Sequence, residues 1–82
     1  SKVIDKIVYT PANRDNYVRS LDEYELSYCT KRGWRTLGQQ TAMLDSLVYR
    51  GVPKGALLLL QNHTRGNQER IFVYEGGKQV WK

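Results

Sequence analysis

From Glu23 to Thr30, apolar and polar side chains alternate one by one along the chain. Successive residues of a strand point to opposite faces of a sheet, so this segment divides into an apolar face and a polar face. The apolar face carries Tyr24, Leu26 and Tyr28, and the polar face carries Glu23, Glu25, Ser27 and Cys29. This alternation is typical of an antiparallel strand with one face on a core. A turn at Lys31-Arg32-Gly33 and a returning strand over residues 34–40 then predict a hairpin.

Further strand-like runs, separated by turn-forming residues, recur at roughly the 8–12-residue spacing of sandwiches and barrels. They lie at residues 3–10, 46–50, 56–60, 70–75 and 78–82. Residues 56–60 do not alternate, which predicts a strand covered on both faces. Gly76-Gly77 predicts a tight connection that sets Glu75 against Lys78 and Phe72 near Trp81.

These runs predict an all-β fold, a small antiparallel β-sandwich that forms one domain over residues 1–82. The one segment that is compatible with a helix is 41–47. The chain begins with Ser-Lys-Val and has its only methionine at position 43, so we expect a domain cut from a larger protein.

Size and residue counts restrict the chemistry that this chain can perform. A chain of 82 residues buries only roughly 60–65% of its unfolded surface, so a deep catalytic cavity is not expected. Cys29 is the only cysteine and His63 the only histidine, which excludes an internal disulfide and Cys-rich or His-rich metal sites. No opposed pair of acids and no phosphate-binding glycine loop is present. We therefore expect no enzymatic activity, no metal and no cofactor.

The basic excess has two interpretations. Thirteen Lys and Arg against eight Asp and Glu give a net charge of +5, which suits a polyanionic partner. The bases are scattered and most acids lie near one, which suits an ordinary solvated surface. Glu23 and Glu25 share a strand face and would repel phosphate, so a basic barrel that binds nucleic acid is not expected. The longest apolar run, residues 56–60, falls far short of the ~20 residues of a spanning helix, so no membrane insertion is expected.

Two polar loops, residues 13–16 and 62–67, and two aromatic side chains provide the candidate binding residues. Amide, carboxylate and guanidinium groups hydrogen-bond sugar hydroxyls, and aromatic planes pack on the C–H faces of sugar rings. The candidates are Asn13, Arg14, Asp15, Tyr17, Trp34, His63 and Arg65. Each also has a structural interpretation: Asn and Asp shape turns, Trp34 covers a core edge, and His63 is a loop donor. Cys29, on a strand face, is expected to be a small buried apolar residue.

The order of motifs in the first half resembles a known family. Residues 4–11 read Ile-Asp-Lys-Ile-Val-Tyr-Thr-Pro, and after a polar loop come Tyr24-Glu25-Leu26 and Gly33-Trp34-Arg35-Thr36-Leu37-Gly38. This order resembles the middle of discoidin-type (coagulation factor 5/8 C) domains, which have an I-x-x-I-x-Y-x-P-R strand, a Y-E-L-x-x-S strand and a G-x-x-W turn. The chain departs from that pattern at Ala12 and at Tyr28-Cys29.

The second half, residues 52–81, is similar to the C-terminal part of large secreted Bacteroidetes proteins, some of which carry a transglutaminase-like domain. Together the two resemblances imply a galactose-binding-like jelly roll on an exported bacterial protein, located outside the cytoplasm. We expect a non-catalytic carbohydrate-binding or adhesion-type accessory module, with a glycan as its partner. The alternative is a structural domain that packs against its parent's catalytic domain without a ligand. The first predicts both polar loops at one end of the sandwich, and the second predicts an exposed apolar patch or an unpaired strand edge.

Overall fold

The computed structural model of the chain describes residues 5–9, 18–43, 46–53, 55–66, 68–75 and 78–82, and for residues 5–9 it describes the strand alone. Seven strands follow one another: β1 (Asp5–Tyr9), β2 (Glu23–Thr30), β3 (Gly33–Thr41), β4 (Ser46–Arg50), β5 (Leu58–Asn62), β6 (Gln68–Glu75) and β7 (Lys78–Trp81). The described residues contain no helix, so the predicted all-β class is confirmed. The possible helix at 41–47 is wrong, because β3 continues to Thr41 and Met43 forms an antiparallel bridge with Ser46.

Five strands form one antiparallel sheet in the order β3-β2-β5-β6-β7. β5 lies in the middle, and Leu58, Leu59 and Leu60 are all buried, which confirms the prediction of a strand covered on both faces. It begins two residues later than predicted and continues through Gln61 and Asn62. Both polar residues belong to the strand because β2 and β6 pair with them from either side. A strand prediction that relies on apolar residues alone therefore ends before Gln61.

β1 and β4 form a separate two-stranded antiparallel sheet. From β4, Leu47 and Tyr49 are buried in the core, and the Tyr49 hydroxyl donates to the carbonyl oxygen of Gly38 at 2.9 Å. The side chain of Gln40 acts as a substitute strand partner for β4, since its amide nitrogen donates to the Val48 carbonyl and its oxygen accepts from the Val48 N–H. The two sheets therefore share one core. The finer prediction of a jelly-roll sandwich stays a prediction.

The core lies on one face of the five-stranded sheet. Its members from that sheet include Tyr24, Leu26, Leu58, Leu60 and Phe72, so the predicted apolar face of β2 is confirmed. Burying each large apolar side chain stabilises the fold by roughly 1.5–3 kcal/mol.

The register of the last hairpin is the predicted one. Glu75 pairs with Lys78 and Phe72 with Trp81. The rings of Phe72 and Trp81 lie 4.7 Å apart between centroids, and Trp81 packs against the core.

The opposite face of the five-stranded sheet, which we call the outer face, carries the side chains whose positions alternate with those of the core. They are Glu23, Glu25, Ser27 and Cys29 on β2, Trp34, Thr36, Gln39 and Thr41 on β3, Leu59 and Gln61 on β5, Glu69, Ile71, Val73 and Glu75 on β6, and Lys78 and Val80 on β7. Cys29 is exposed, so the expectation of a buried apolar residue is wrong. The reason is its position beyond Tyr28–Leu58, the last residue pair between β2 and β5.

A β-bulge in β3 shifts the pairing between β2 and β3 by one residue. Between the pairs Leu26–Gly38 and Ser27–Thr36, the extra residue Leu37 has no partner on β2 and packs against the core. Gly38 adopts a φ of 115°, which a residue without a Cβ takes at little cost. The bulge therefore sets Thr36 beside Ser27 and Gln39 beside Glu25 on the outer face.

Candidate functional site

A buried carboxylate organises the turn between β5 and β6. The Asp22 side chain is only 7% exposed, and its Oδ2 accepts from Nδ2 of the fully buried Asn62 at 3.1 Å and from Nε of Arg65 at 2.7 Å. The hydrogen bond from Asn62, followed by the one from Arg65, holds the pKa of Asp22 below its ordinary value despite its burial. Asp22 is thus a charged anchor for residues that follow it by 40 positions or more.

Asn62 shapes the turn itself. Its Oδ1 accepts from the backbone N–H groups of Thr64 at 2.8 Å and Arg65 at 3.0 Å, the local pattern that lets asparagine close a turn. Its Nδ2 simultaneously donates to Asp22. Both ends of one buried amide are therefore used, which fixes the conformation of residues 62–65.

Two further hydrogen bonds attach the same turn to β2. The Glu23 N–H donates to Oγ1 of Thr64 at 2.9 Å, and the His63 N–H donates to the Glu23 carbonyl at 2.8 Å. The ladder between β2 and β5 thereby continues one residue past Asn62. His63 consequently lies on the outer face, beside Glu25.

Glu25 is the centre of a hydrogen-bonded group on the outer face. Its Oε1 lies 2.9 Å from Nε2 of His63, and the side chains of Thr36 and Gln39 also hydrogen-bond to its carboxylate. The bond from Thr36 foremost, and then the one from His63, hold the pKa of Glu25 below its ordinary value. The side chains of Glu25 and His63 remain 21% and 30% exposed. Glu25 is therefore fixed by neighbours and still reachable from solvent.

Four side chains continue this group across four adjacent strands. Register places Gln39 beside Glu25, Glu25 beside Gln61, and Gln61 beside Glu69. We call Gln39, Glu25, Gln61 and Glu69 the polar row. Neighbouring Cβ atoms in such a row lie about 4.5–5.5 Å apart, and Nε2 of Gln61 donates to Oε2 of Glu69 at 3.1 Å. Amides and carboxylates alternate along the row, so it offers hydrogen-bond donors and acceptors in turn.

The candidate residues from the sequence do not form one cluster in the part of the chain that the structure describes. Asn13, Arg14, Asp15 and Tyr17 lie outside the described residues. His63 and Arg65 share a turn but have different partners, since His63 contacts Glu25 and Arg65 contacts Asp22.

Trp34 lies at the opposite end of β2. It pairs with Cys29, whereas His63 is bonded to Glu23, six residues away along the strand. At about 3.3 Å per residue the separation is roughly 20 Å. Trp34 and His63 therefore do not belong to one compact site.

The sequence analysis missed most residues of this site. It placed Glu25 on the polar face of β2, but Gln39, Gln61 and Glu69 became neighbours of Glu25 only through the register of strands that are distant in sequence. Asn62 had a detectable signal, because Asn-x-Thr in a turn allows the Asn side chain to accept from the N–H two residues later. Asp22 had none, since an acid before a strand usually faces solvent.

Among the residues that the structure describes, no group of three or more His, Cys, Asp and Glu side chains could hold a metal ion. None of the described segments forms a helix that is long and apolar enough to cross a membrane. Comparison with known proteins gave no match to a family model, to a curated protein or to a solved structure.

Proposed function

We propose that this chain is a non-catalytic carbohydrate-binding module whose ligand lies across the polar row. The observation that carries the proposal is the Glu25 carboxylate, which is held by Thr36, Gln39 and His63 and is still partly exposed. Side chains that are already fixed lose little conformational entropy when a ligand binds. A row of fixed acceptors and donors is suited to a ligand with many hydroxyl groups.

The chemistry of the row matches that of a sugar ring. A carboxylate accepts from two adjacent hydroxyls, and an amide donates to one hydroxyl while accepting from another. Glu25 and Glu69 supply the first kind of group, and Gln39 and Gln61 supply the second. A shallow site of this type has millimolar to micromolar affinity, or ~4–8 kcal/mol.

The protonation state of Glu25 favours binding over catalysis. A glycosidase needs one carboxylic acid that stays protonated near neutral pH, which requires a raised pKa. The hydrogen bonds from Thr36 and His63 lower the pKa of Glu25 instead. Glu25 therefore acts as an ionised acceptor. The resemblance of residues 4–40 to discoidin-type domains favours the same function, and with it a location outside the cytoplasm.

An NMR titration tests this proposal. The isotope-labelled chain is titrated with a panel of neutral and acidic glycans, and the shift of each backbone amide is followed. We expect saturable shifts that cluster at Gln39, Glu25, Gln61 and Glu69, with smaller changes at the distant Glu75. Saturable shifts confined to another surface would contradict binding at the polar row. An unchanged spectrum across the whole panel would contradict carbohydrate binding itself.

A second candidate function is a structural accessory role, in which the domain packs against the catalytic domain of a larger parent protein. It is favoured by the apolar half of the outer face. Trp34 and Leu57 at one end of the sheet are exposed, whereas Leu59 and Val73 on the same face are already buried. This role predicts no change of the amide shifts when glycans are added. It also predicts that Leu57 loses solvent exposure when the neighbouring domain is present.

A further inference from the structure

The tip of the hairpin between β2 and β3 combines three cations with an exposed tryptophan. Lys31 and Arg32 form the connection, and Arg35 follows Trp34 on β3. All three cations are exposed, and Trp34 is 44% exposed. We call Lys31, Arg32, Trp34 and Arg35 the basic tip.

The connection that carries the basic tip is well ordered by one hydroxyl group. Oγ1 of Thr30 accepts from the Arg32 N–H at 3.1 Å and donates to the Gly33 carbonyl at 2.8 Å. Thr30 and Gly33 also form the last pair of the hairpin, and Gly33 takes a φ of 112° that favours glycine. The cations on this connection are therefore presented from a defined backbone.

The charge of the basic tip is not offset by acids on its own strands. Glu25 is the acid on β2 that lies closest to the tip, four residues before Cys29, or roughly 13 Å along the strand. That distance exceeds the Debye length of ~8 Å at physiological ionic strength. The ion pairs His63–Glu25 and Arg65–Asp22 involve no residue of the tip.

One acid from a neighbouring strand reaches the same end of the sheet. Glu75 on β6 lies two strands away from β2, or roughly 10 Å sideways. It is paired in register with Lys78, whose charge opposes its own. The end of the sheet that holds the basic tip is therefore positive overall.

We propose that the basic tip docks on an anionic lipid surface. A two-residue connection is convex, so it offers no groove for a polymer strand, whereas a flat surface can meet Lys31, Arg32 and Trp34 together. Arg35 adds positive charge from the opposite face of β3, where it pairs with Tyr28. Lys and Arg are attracted to anionic headgroups, and the amphipathic indole ring prefers the level of the headgroups. Single-stranded nucleic acid is bound in grooves with stacking platforms, which a hairpin tip lacks. The contact is peripheral and independent of glycan binding at the polar row.

Vesicle sedimentation tests the proposal. We expect the chain to sediment with vesicles of pure phosphatidylglycerol and not with vesicles of pure phosphatidylcholine. Added salt should release the chain from the phosphatidylglycerol vesicles. The double variant Lys31→Gln/Arg32→Gln should bind roughly 30-fold more weakly, because each basic residue near the surface contributes about 1 kcal/mol, or about fivefold. The control Arg19→Gln/Lys82→Gln removes the same charge from exposed positions away from the tip, and its affinity for the vesicles should fall far less.

Tryptophan fluorescence provides a second readout. Binding should shift the emission to the blue in the unaltered chain and not in Trp34→Phe, whose remaining Trp81 packs on Phe72. A shift that persists in Trp34→Phe would overturn the proposal, as would equal losses in the two double variants. Binding to heparin or to oligothymidine without binding to phosphatidylglycerol would also overturn it, and would assign the tip to another polyanion.

Discussion

Asp22 and Asn62, 40 residues apart in the chain, meet in a buried hydrogen bond of 3.1 Å between Oδ2 and Nδ2. Asn62 is at the end of the central strand β5, and Asp22 immediately precedes β2. This bond and the Asp22–Arg65 contact fix the turn that brings His63 to Glu25. The proposed binding surface therefore depends on a polar contact that lies beneath it.

Replacing Asn62 by alanine should destabilise the fold by about 1.5–3 kcal/mol, the value typical of a hydrogen bond to a charged group. The substitution removes the main donor to a buried carboxylate and both turn-closing acceptor bonds. Urea unfolding measures the effect. Gln61→Ala, one residue earlier on the same strand and only half-buried, should stay within about 0.5 kcal/mol. Equal losses in the two variants would contradict the account.

At acid pH, the free energy of unfolding should depend on the protonation of Asp22 and Glu25, the two carboxylates whose pKa values are lowered. A carboxyl group with a folded-state pKa below its unfolded value stabilises the fold above the unfolded pKa and loses that contribution as pH falls. The ordinary pKa values are 3.8 for Asp22 and 4.5 for Glu25, so the free energy of unfolding should decline as pH falls below about these values. Urea unfolding at a series of pH values measures the decline, which should be smaller in Asn62→Ala.

Thr36→Val should raise the pKa of Glu25 toward its ordinary value. The hydrogen bond from Thr36 is the foremost cause of the lowered pKa, and valine keeps the shape of threonine without the hydroxyl group. Carbon-detected NMR titration of the Glu25 carboxyl group measures the change directly. Thr41→Val, on the same strand and the same face, should leave the pKa where it is. No rise in Thr36→Val would contradict the arrangement of donors around Glu25.

At alkaline pH, the free energy of unfolding should depend on the ionisation of two buried tyrosines, Tyr49 and Tyr24. Burial raises the pKa of Tyr49 to about 12 and also raises the pKa of Tyr24. A group whose folded-state pKa is raised stabilises the fold below its unfolded pKa, near 10, and loses that contribution as pH rises further. Ultraviolet titration should show Tyr49 ionising late, and Tyr49→Phe should reduce the amplitude of the late phase to the part that belongs to Tyr24. Ionisation of every tyrosine near pH 10 would contradict the burial of both rings.

Gly38→Ala tests the bulge that aligns the outer face. No atom lies within 4 Å of a Cβ built at Gly38, so the cost is the backbone strain at a φ of 115° alone. We expect a loss of about 1–3 kcal/mol in urea unfolding. Gln39→Ala, exposed and next in sequence, serves as the control and should change stability little.

Local sequence patterns predicted the fold where strands pack on the core. The alternation around Leu26 located β2 and its faces, and Gly76-Gly77 located the last hairpin with its register. The same patterns failed where a polar residue lies inside a strand. Gln61 and Asn62 belong to β5 because strands on both sides satisfy their backbone groups, which no local pattern records.

The candidate site was less predictable for a related reason. His63 was a candidate from its residue type, but its partner Glu25 is 38 positions away and is found only from the β2–β5 register. Trp34 was grouped with His63 by chemistry, yet the direction of β2 places them at opposite ends of the sheet. Residue type therefore indicated which groups could bind, and strand pairing decided which of them are neighbours.

Calorimetric titration of Glu25→Gln against the unaltered chain is the most direct test of the central claim. The glycan is the one that gives saturable NMR shifts, and Glu75→Gln, an exposed position beyond the polar row on β6, is the matched control. The claim predicts about a tenfold or greater loss of affinity for Glu25→Gln, since a hydrogen bond to a charged group contributes about 1.5–3 kcal/mol, and no change for Glu75→Gln. Equal affinities of the unaltered chain and Glu25→Gln would contradict it.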